Sequence, residues 1–315
     1  MEETEETEEK IAIVVDGSVC SLSSGQLPVP VDAVVEFYVV YHEKGKEVSK
    51  AQNKMSWGEI IDLQKGREIP RTSTPSIGDF LNTYRHLVNE GFNRILVLTV
   101  PKKLSGVYNS AIKAREALHN EYPDVEVAVI DTGTTASGVE YLAEVAIEAR
   151  SAGKSLEEIQ ELLTREARKV EIIVAFDTLR FVAASGRIDE LNGESLKDNL
   201  KRHVLGAATQ FVDLVHRSPK MVAILSGGKI EILWPFKRHF VSAVEKLQEE
   251  LRKRHESRGI KRLYIIFSAA TEEVVNLKKK IGGFYTGSII TRSEVPLALL
   301  TIAGPKVVAV VVIYE

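Results

Sequence analysis

The 315-residue sequence predicts an α/β fold in two domains, an N-terminal parallel-sheet α/β/α domain and a C-terminal mixed-sheet α/β domain. Three observations carry that prediction. The length is about twice the roughly 150 residues of a typical domain. The first half alternates short apolar runs with segments of helical period. The second half holds a hairpin signal, two apolar runs joined through Gly227-Gly228.

The elements follow in order. Residues 11–15 are five apolar residues ending at Asp16-Gly17-Ser18, and residues 34–41, 94–100 and 125–130 are further strand candidates. Runs that are apolar throughout suit strands covered on both faces. Helical patterns over 76–90, 106–120 and 138–151 lie between or after them, and strand–helix–strand spacing of this kind indicates a parallel sheet. Residues 155–170 form a charged amphipathic helix after Gly153-Lys154, expected to cross between domains. A strand is expected at 172–176, helix at 179–184, and a turn at Ser185-Gly186-Arg187-Ile188. Strands at 221–225 and 229–233 form the hairpin. A long helix over 236–255 ends in Arg252, Lys253, Arg254 and His255, a charge placement favourable at a helix C-terminus. Strands at 262–267 and 307–313 complete the chain. The expected division is an acidic, disordered leader over 1–10, an N-terminal domain over 11–165 and a C-terminal domain over 166–315.

Composition narrows the function classes. Hydrophobic residues are 44% and charged residues 27%, as in ordinary globular proteins. The lone Cys20 can form no internal disulfide. Residues 307–313, the longest apolar run near the end, fall far short of the roughly 20 a membrane helix needs. The acidic first residues have the wrong sign for a signal peptide, so a cytoplasmic location is expected. Six acids lie in residues 1–9; without them the net charge of −3 becomes +3, which gives no electrostatic footprint for nucleic acid.

Open α/β sheets bind ligands at the carboxyl ends of their strands. Four turns there are rich in Gly, Ser and Thr: Asp16-Gly17-Ser18, Thr72-Ser73-Thr74-Pro75-Ser76, Leu104-Ser105-Gly106 and Asp131-Thr132-Gly133-Thr134-Thr135. Thr74-Pro75 fits a helix N-cap followed by proline at the first helical position. Thr72 and Ser73 then have no capping duty and are candidates for holding an anion. Ser105 and Gly106, with the free N–H groups of the next helix, form a second candidate. Asp16 is expected to brace the Gly17-Ser18 loop. Neither GxGxxG nor GxxxxGK[ST] is present, the seven histidines show no ligand spacing, and no GxSxG elbow marks a nucleophilic serine. No cofactor or metal is therefore expected. Three readings remain open at this point: a carboxylate-bearing ligand, a small-anion or nucleotide sensor, or a hydrolase or transferase using Ser105 or Thr72.

The same turns resemble a known family. Residues 11–22, Arg71 to Ser76 (Thr-Ser-x-Pro-Ser), Lys103 to Ala111 (Lys-Leu-Ser-Gly-Val-Tyr-Asn-Ser-Ala), Asp177 to Arg180 with Gly186-Arg187-Ile188, and Gly228-Lys229-Ile230 occur in the order seen in the DegV family of bacterial fatty-acid-binding proteins. The resemblance implies a non-catalytic protein holding one long-chain fatty acid in a tunnel, its carboxylate between the domains near Thr72. It also implies a partner, a fatty-acid kinase to which the acid is presented. The chain departs from the pattern at three places. Pro101 and Lys102 stand where many members have two serines, Ile302 stands where many have a histidine, and residues 195–218 look inserted. Lys102 or Lys103 is a candidate replacement for the missing donors, and Arg187 a candidate to pair with a carboxylate. With Ser18, the candidate ligand set is Ser18, Thr72, Ser73, Lys102, Lys103, Ser105, Gly106 and Arg187.

Simple energetics separate the two ends of such a ligand. A sixteen-carbon acid buries about 14 methylenes at about 0.8 kcal/mol each, an upper limit near 11 kcal/mol. A buried carboxylate without partners costs several kcal/mol, so the tunnel must end in donors.

Overall fold

The computed structural model describes residues 9–19, 27–66, 68–178, 180–185, 220–237 and 239–315. Arg187, Cys20, the insertion at 195–218 and residues 1–8 of the leader lie outside the described residues. Glu9 and Lys10 are held in place: the Glu9 carboxylate accepts from Leu156 N at 3.0 Å, and Lys10 N donates to Asn93 Oδ1 at 2.9 Å.

The N-terminal sheet is all parallel. It consists of β1 (Ile11–Asp16), β2 (Ala33–Val35), β6 (Arg94–Thr99) and β7 (Glu126–Asp131) in the order β2-β1-β6-β7. Alternate residues of β1 face opposite cores, as the period of two requires. Ala12 and Val14 pack on α2 (Ile77–Asn89) and α3 (Val107–Glu121). Ile11, Ile13 and Val15 pack toward α4 (Ser137–Ser151) and α5 (Leu156–Ala167).

A three-stranded antiparallel sheet stands beside it: β4 (Lys46–Ala51), β3 (Tyr38–Glu43) and β5 (Arg71–Ser73) in the order β4-β3-β5. Helix α1 (Trp57–Lys65) follows β4. The strand expected at 34–41 is thus two strands in different sheets, with the chain leaving the parallel sheet at Glu36-Phe37.

The C-terminal sheet is mixed. Its order is β10 (Lys229–Lys237), β9 (Lys220–Ser226), β8 (Val170–Phe176), β13 (Val307–Tyr314), β11 (Ile260–Ser268) and β12 (Ser288–Arg292). Only the β11–β12 pair is parallel. Gly227 and Gly228, at φ 53° and 72°, make the expected tight hairpin turn. One face of this sheet packs on α7 (Phe240–Arg258) and α8 (Thr271–Ile281) through Ile173, Ala175, Leu263, Val308 and Val310. The other face looks toward the N-terminal half and α9 (Leu297–Ala303). A short helix, α6 (Arg180–Ala184), follows β8.

Helix α4 is buried between the two sheets, with residues 137–143 all buried. Its fully buried Glu140 is ion-paired to Arg292 of β12 and accepts from Ser137 Oγ at 2.8 Å. Burial still pushes this carboxyl up, with Arg292 and Ser137 working against the rise. Glu144 of the same helix accepts from Arg262 of β11 at 2.6 Å. Both pairs tie α4 to the mixed sheet.

Two expected boundaries are corrected. The cap of α2 is Ser76, not Thr74: Ser76 Oγ accepts from Asp79 N while Asp79 accepts from Ser76 N, a reciprocal capping box that places the start after Pro75. Phe236 belongs to β10, and the long helix begins only at Phe240. Among the described residues, no helix is long and apolar enough to cross a membrane.

Candidate functional site

Three loops, after β1, β6 and β7, gather at the carboxyl edge of the parallel sheet beside strand β5, and Asp16 is the post that fixes two of the loops. Its carboxylate, fully buried at the end of β1, accepts from Ser18 N at 3.0 Å and from Val100 N, just beyond β6, at 2.6 Å. Burial raises its pKa, opposed by the Ser18 hydroxyl and the two backbone N–H groups. The Ser18 hydroxyl thus lies close enough to favour the ionised carboxyl, without completing a hydrogen bond.

The loop after β7 is organised by its own hydroxyls. Thr132 Oγ donates to Thr99 O at 2.8 Å, and Asp131 Oδ1 accepts from Gly133 N at 3.2 Å. Ala136, at φ 53° and ψ −130°, holds a backbone conformation rare for a non-glycine residue, and its N–H donates to Ser18 O at 3.1 Å. Such strain costs about 1–3 kcal/mol and clusters at functional sites. Here it turns Thr135 and Ala136 toward a cavity.

The β5 strand supplies Thr72. Strand alternation sends Thr72 inward and Ser73 outward, so only Thr72 reaches the cavity and Ser73 is exposed. In the loop before α3, Leu104 N and Ser105 N both donate to Pro101 O, at 2.9 and 3.1 Å. That turn aims Ser105 inward. Helix α3 starts after Gly106 with no side-chain cap. A Cβ placed on Gly106 would lie 4.0 Å from Thr74 Oγ1, so the two hydroxyl-bearing loops abut.

The cavity they enclose has a volume of about 190 Å³. An apolar cavity of about 150 Å³ holds a benzene ring, so this one has room for a larger apolar group. Ser18, Thr72, Ser105 and Thr135 bring hydroxyls to it, all from the N-terminal half. The Ser105 and Thr135 oxygens are buried and have no hydrogen-bond partner. An unpaired buried hydroxyl costs about 1–3 kcal/mol, so these groups are set to meet a polar group that enters the cavity. The rest of the wall is apolar and comes mainly from the inner face of the mixed sheet and from α9. Gln52 holds two parts of the frame: its Nε2 donates to Gly17 O at 2.5 Å and its Oε1 accepts from Ala298 N at 3.0 Å. The β9–β10 turn closes one side, with Gly228 N donating to Gly133 O at 2.9 Å. Gly133, at φ 66°, suits the turn as glycine, because any side chain there would be strained by the backbone and its Cβ would sit a tight 3.2 Å from Gly227 Cα.

Of the residues picked out in the sequence, Ser18, Thr72 and Ser105 meet at the cavity, while Ser73, Gly106, Lys102 and Lys103 do not line it. Both lysines are exposed, and Lys102 lies 3.9 Å from Asp131 and over the Tyr108 ring. Neither lysine, the expected stand-ins for the missing donors, lines the cavity in this geometry: the turn that sends Ser105 inward leaves residues 102 and 103 outside. Pro101 and Ile302, two of the positions that depart from the family pattern, are part of the wall. Among the described lining residues none carries a charge and none is a histidine. Thr135 also lines the cavity, although the sequence singles out only its hydroxyl-rich turn and not the residue itself. The strained Ala136 that aims it leaves no mark in composition or spacing.

A family model described as "Uncharacterised protein, DegV family" matches residues 10–194, more than half of the chain. A fatty acid-binding protein of Thermotoga maritima is 27% identical over 58% of this chain and 62% of its own length. A DegV domain-containing protein of Streptococcus pyogenes is 29% identical over 44% of this chain. The aligned part spans about half, 48%, of that relative. The fold is shared end to end with solved structures: the Streptococcus pneumoniae fatty acid kinase (Fak) B3 protein loaded with linoleic acid superposes with a TM-score of 0.77 at 19% identity, over 97% of this chain and all of that one. Sequence match and fold agree, and the chain belongs to the DegV family.

Proposed function

We propose that this protein binds a single long-chain fatty acid and carries it, without itself transforming it. The observation that carries this reading is the pairing of unpartnered buried hydroxyls, Ser105 and Thr135, with an otherwise apolar cavity. Thr72, Ser18, Ser105 and Thr135 receive the carboxyl group, and the tail lies against the mixed sheet. Donors to a charged acceptor contribute roughly 1.5–3 kcal/mol each. Tail burial supplies more, at about 0.8 kcal/mol per methylene. The relatives support the reading: the Thermotoga maritima protein is named a fatty acid-binding protein, and the Streptococcus pneumoniae structure holds linoleic acid. That second neighbour, named for a fatty acid kinase system, also supports presentation of the bound acid to such a kinase. A serine nucleophile would need a base within reach, and no His, Asp or Glu lines the cavity among the described residues.

The test is solvent extraction of the purified full chain followed by mass spectrometry. Fatty acid in near-stoichiometric amount is expected. Protein that releases none, and takes none up after delipidation, overturns the reading.

A further inference from the structure

The helix layer on the outer face of the mixed sheet carries two of the three large hydrophobic side chains that stand exposed among the described residues. They are Val241 of α7, 55% exposed, and Val275 of α8, 62% exposed. Val241 borders a groove between the two helices that Asn276 and Lys279 of α8 also line.

Three of the five charged side chains of α8 are engaged within the chain. Glu273 lies 2.6 Å from Lys306, Lys280 lies 3.2 Å from Glu245, and Lys278 Nζ donates to Thr291 Oγ1 at 3.1 Å. The side chains of the other two, Glu272 and Lys279, have no ion-pair or hydrogen-bond partner among the described residues. They are separated by two turns, about 10 Å along the axis, too far to pair with each other.

Glu272, Val275, Asn276 and Lys279 occupy positions i, i+3, i+4 and i+7, one stripe of the helix, and all four are exposed. The helix dipole accounts for an acid in the first turn and a lysine in the last. It does not account for a valine held in water midway between them. The stripe is its own complement: a second α8 laid antiparallel along it sets Glu272 against the partner's Lys279 at one end and Lys279 against the partner's Glu272 at the other. The two-fold axis then passes beside Val275, which meets the partner's Val275. A two-fold interface requires this kind of self-matching, in which one patch serves both subunits.

We infer that the exposed stripe of α8 is a self-association surface, and that its partner is a second copy of this chain, packed α8 against α8 in antiparallel fashion. The surface lies across the mixed sheet from the cavity, so the inference does not rest on the fatty-acid reading.

The experiment is sedimentation velocity on the full chain over a rising concentration series in low-salt buffer. Wild type is expected to move from monomer towards dimer as concentration rises, and added salt to reverse the move by screening the end pairs. Glu272→Lys and Lys279→Glu each put like charges together at both ends, and each is expected to weaken association about tenfold or more. An equimolar mixture of the two variants is the decisive sample. One copy then carries two lysines on its stripe and the other two glutamates, so opposite charges meet again at both ends and a heterodimer is expected. Thermal melting checks that each variant folds. If a charge variant does not, Val275→Ser, which leaves both charges in place, decides alone and is expected to weaken the dimer. Wild type that stays monomeric at every concentration overturns the inference. So do variants that associate like wild type, or a mixture that recovers no dimer.

Discussion

The two halves of the molecule contribute opposite chemistry to one cavity, and the difference follows from strand direction. In the parallel sheet every strand ends at the same edge, so the loops after β1, β6 and β7 gather there with their hydroxyls and backbone N–H groups. In the mostly antiparallel mixed sheet the loops are divided between two edges, and what faces the cavity is the flat of the sheet. That surface is apolar, built from alternate residues such as Ile172, Val174 and Phe176. A ligand with one polar end and a long apolar end matches this division.

Removing the polar end is the most severe way to break the comparison. Thr72→Val with Ser105→Ala keeps shape and takes away two donors. Each donor to a charged acceptor is worth roughly 1.5–3 kcal/mol, so fatty-acid affinity should fall roughly tenfold or more per site. Titration with a fluorescent fatty acid measures it. A double variant that binds like wild type would show that the hydroxyl end does not hold the carboxyl group.

A second contrast lies between two carboxylates, one from each half. Asp16, in the N-terminal half, is held by neutral donors, and burial raises its pKa. Glu250, on the helix that covers the mixed sheet, is also opposed by burial. Hydrogen bonds from Lys253, Lys246 and Arg254 outweigh that effect and lower it from 4.5 to about 2. A carboxyl depressed in the folded state contributes stability that is fully present above its unfolded pKa and is lost as pH falls. For Glu250 that window runs from 4.5 down to about 2. Glu250→Gln should therefore flatten the loss of stability across that range, as followed by denaturant unfolding at a series of pH values. Ligand affinity at neutral pH should stay as it was, because Glu250 is on the far side of the sheet from the cavity.

The sequence made most strands of the two main sheets legible because those strands are apolar and buried. It hid β4, Lys46–Ala51, whose charged and polar residues lie on an exposed ribbon with no apolar alternation. It also hid β12 and α9, short elements that take their structure from packing against the rest of the protein. At the site, Thr72 and Ser105 stood out because both lie in hydroxyl-rich segments and have no capping duty. The tail-facing wall did not stand out. Val174 and Ala309 look like any core residues until the register places them side by side, and no spacing in the chain encodes a void.

The smallest effect is expected at the lysines, and it sharpens the comparison most directly. If a cation held the ligand's head group, the polar end would depend on Coulomb attraction; if hydroxyls hold it, charge on the nearby surface is immaterial. Lys102 is exposed, its N–H donates to Asp131 Oδ1 at 3.3 Å, and its ammonium stands 3.9 Å from the same carboxylate. Lys103 is exposed as well. Exposed ion pairs contribute roughly 0–1 kcal/mol, and what little Lys102 gives goes to Asp131. Lys102→Met and Lys103→Met should each leave fatty-acid affinity within about twofold of wild type, a difference of about 0.4 kcal/mol. A tenfold loss in either would mean that the side chain swings inward when the acid binds, and that the head group is gripped by a charge after all.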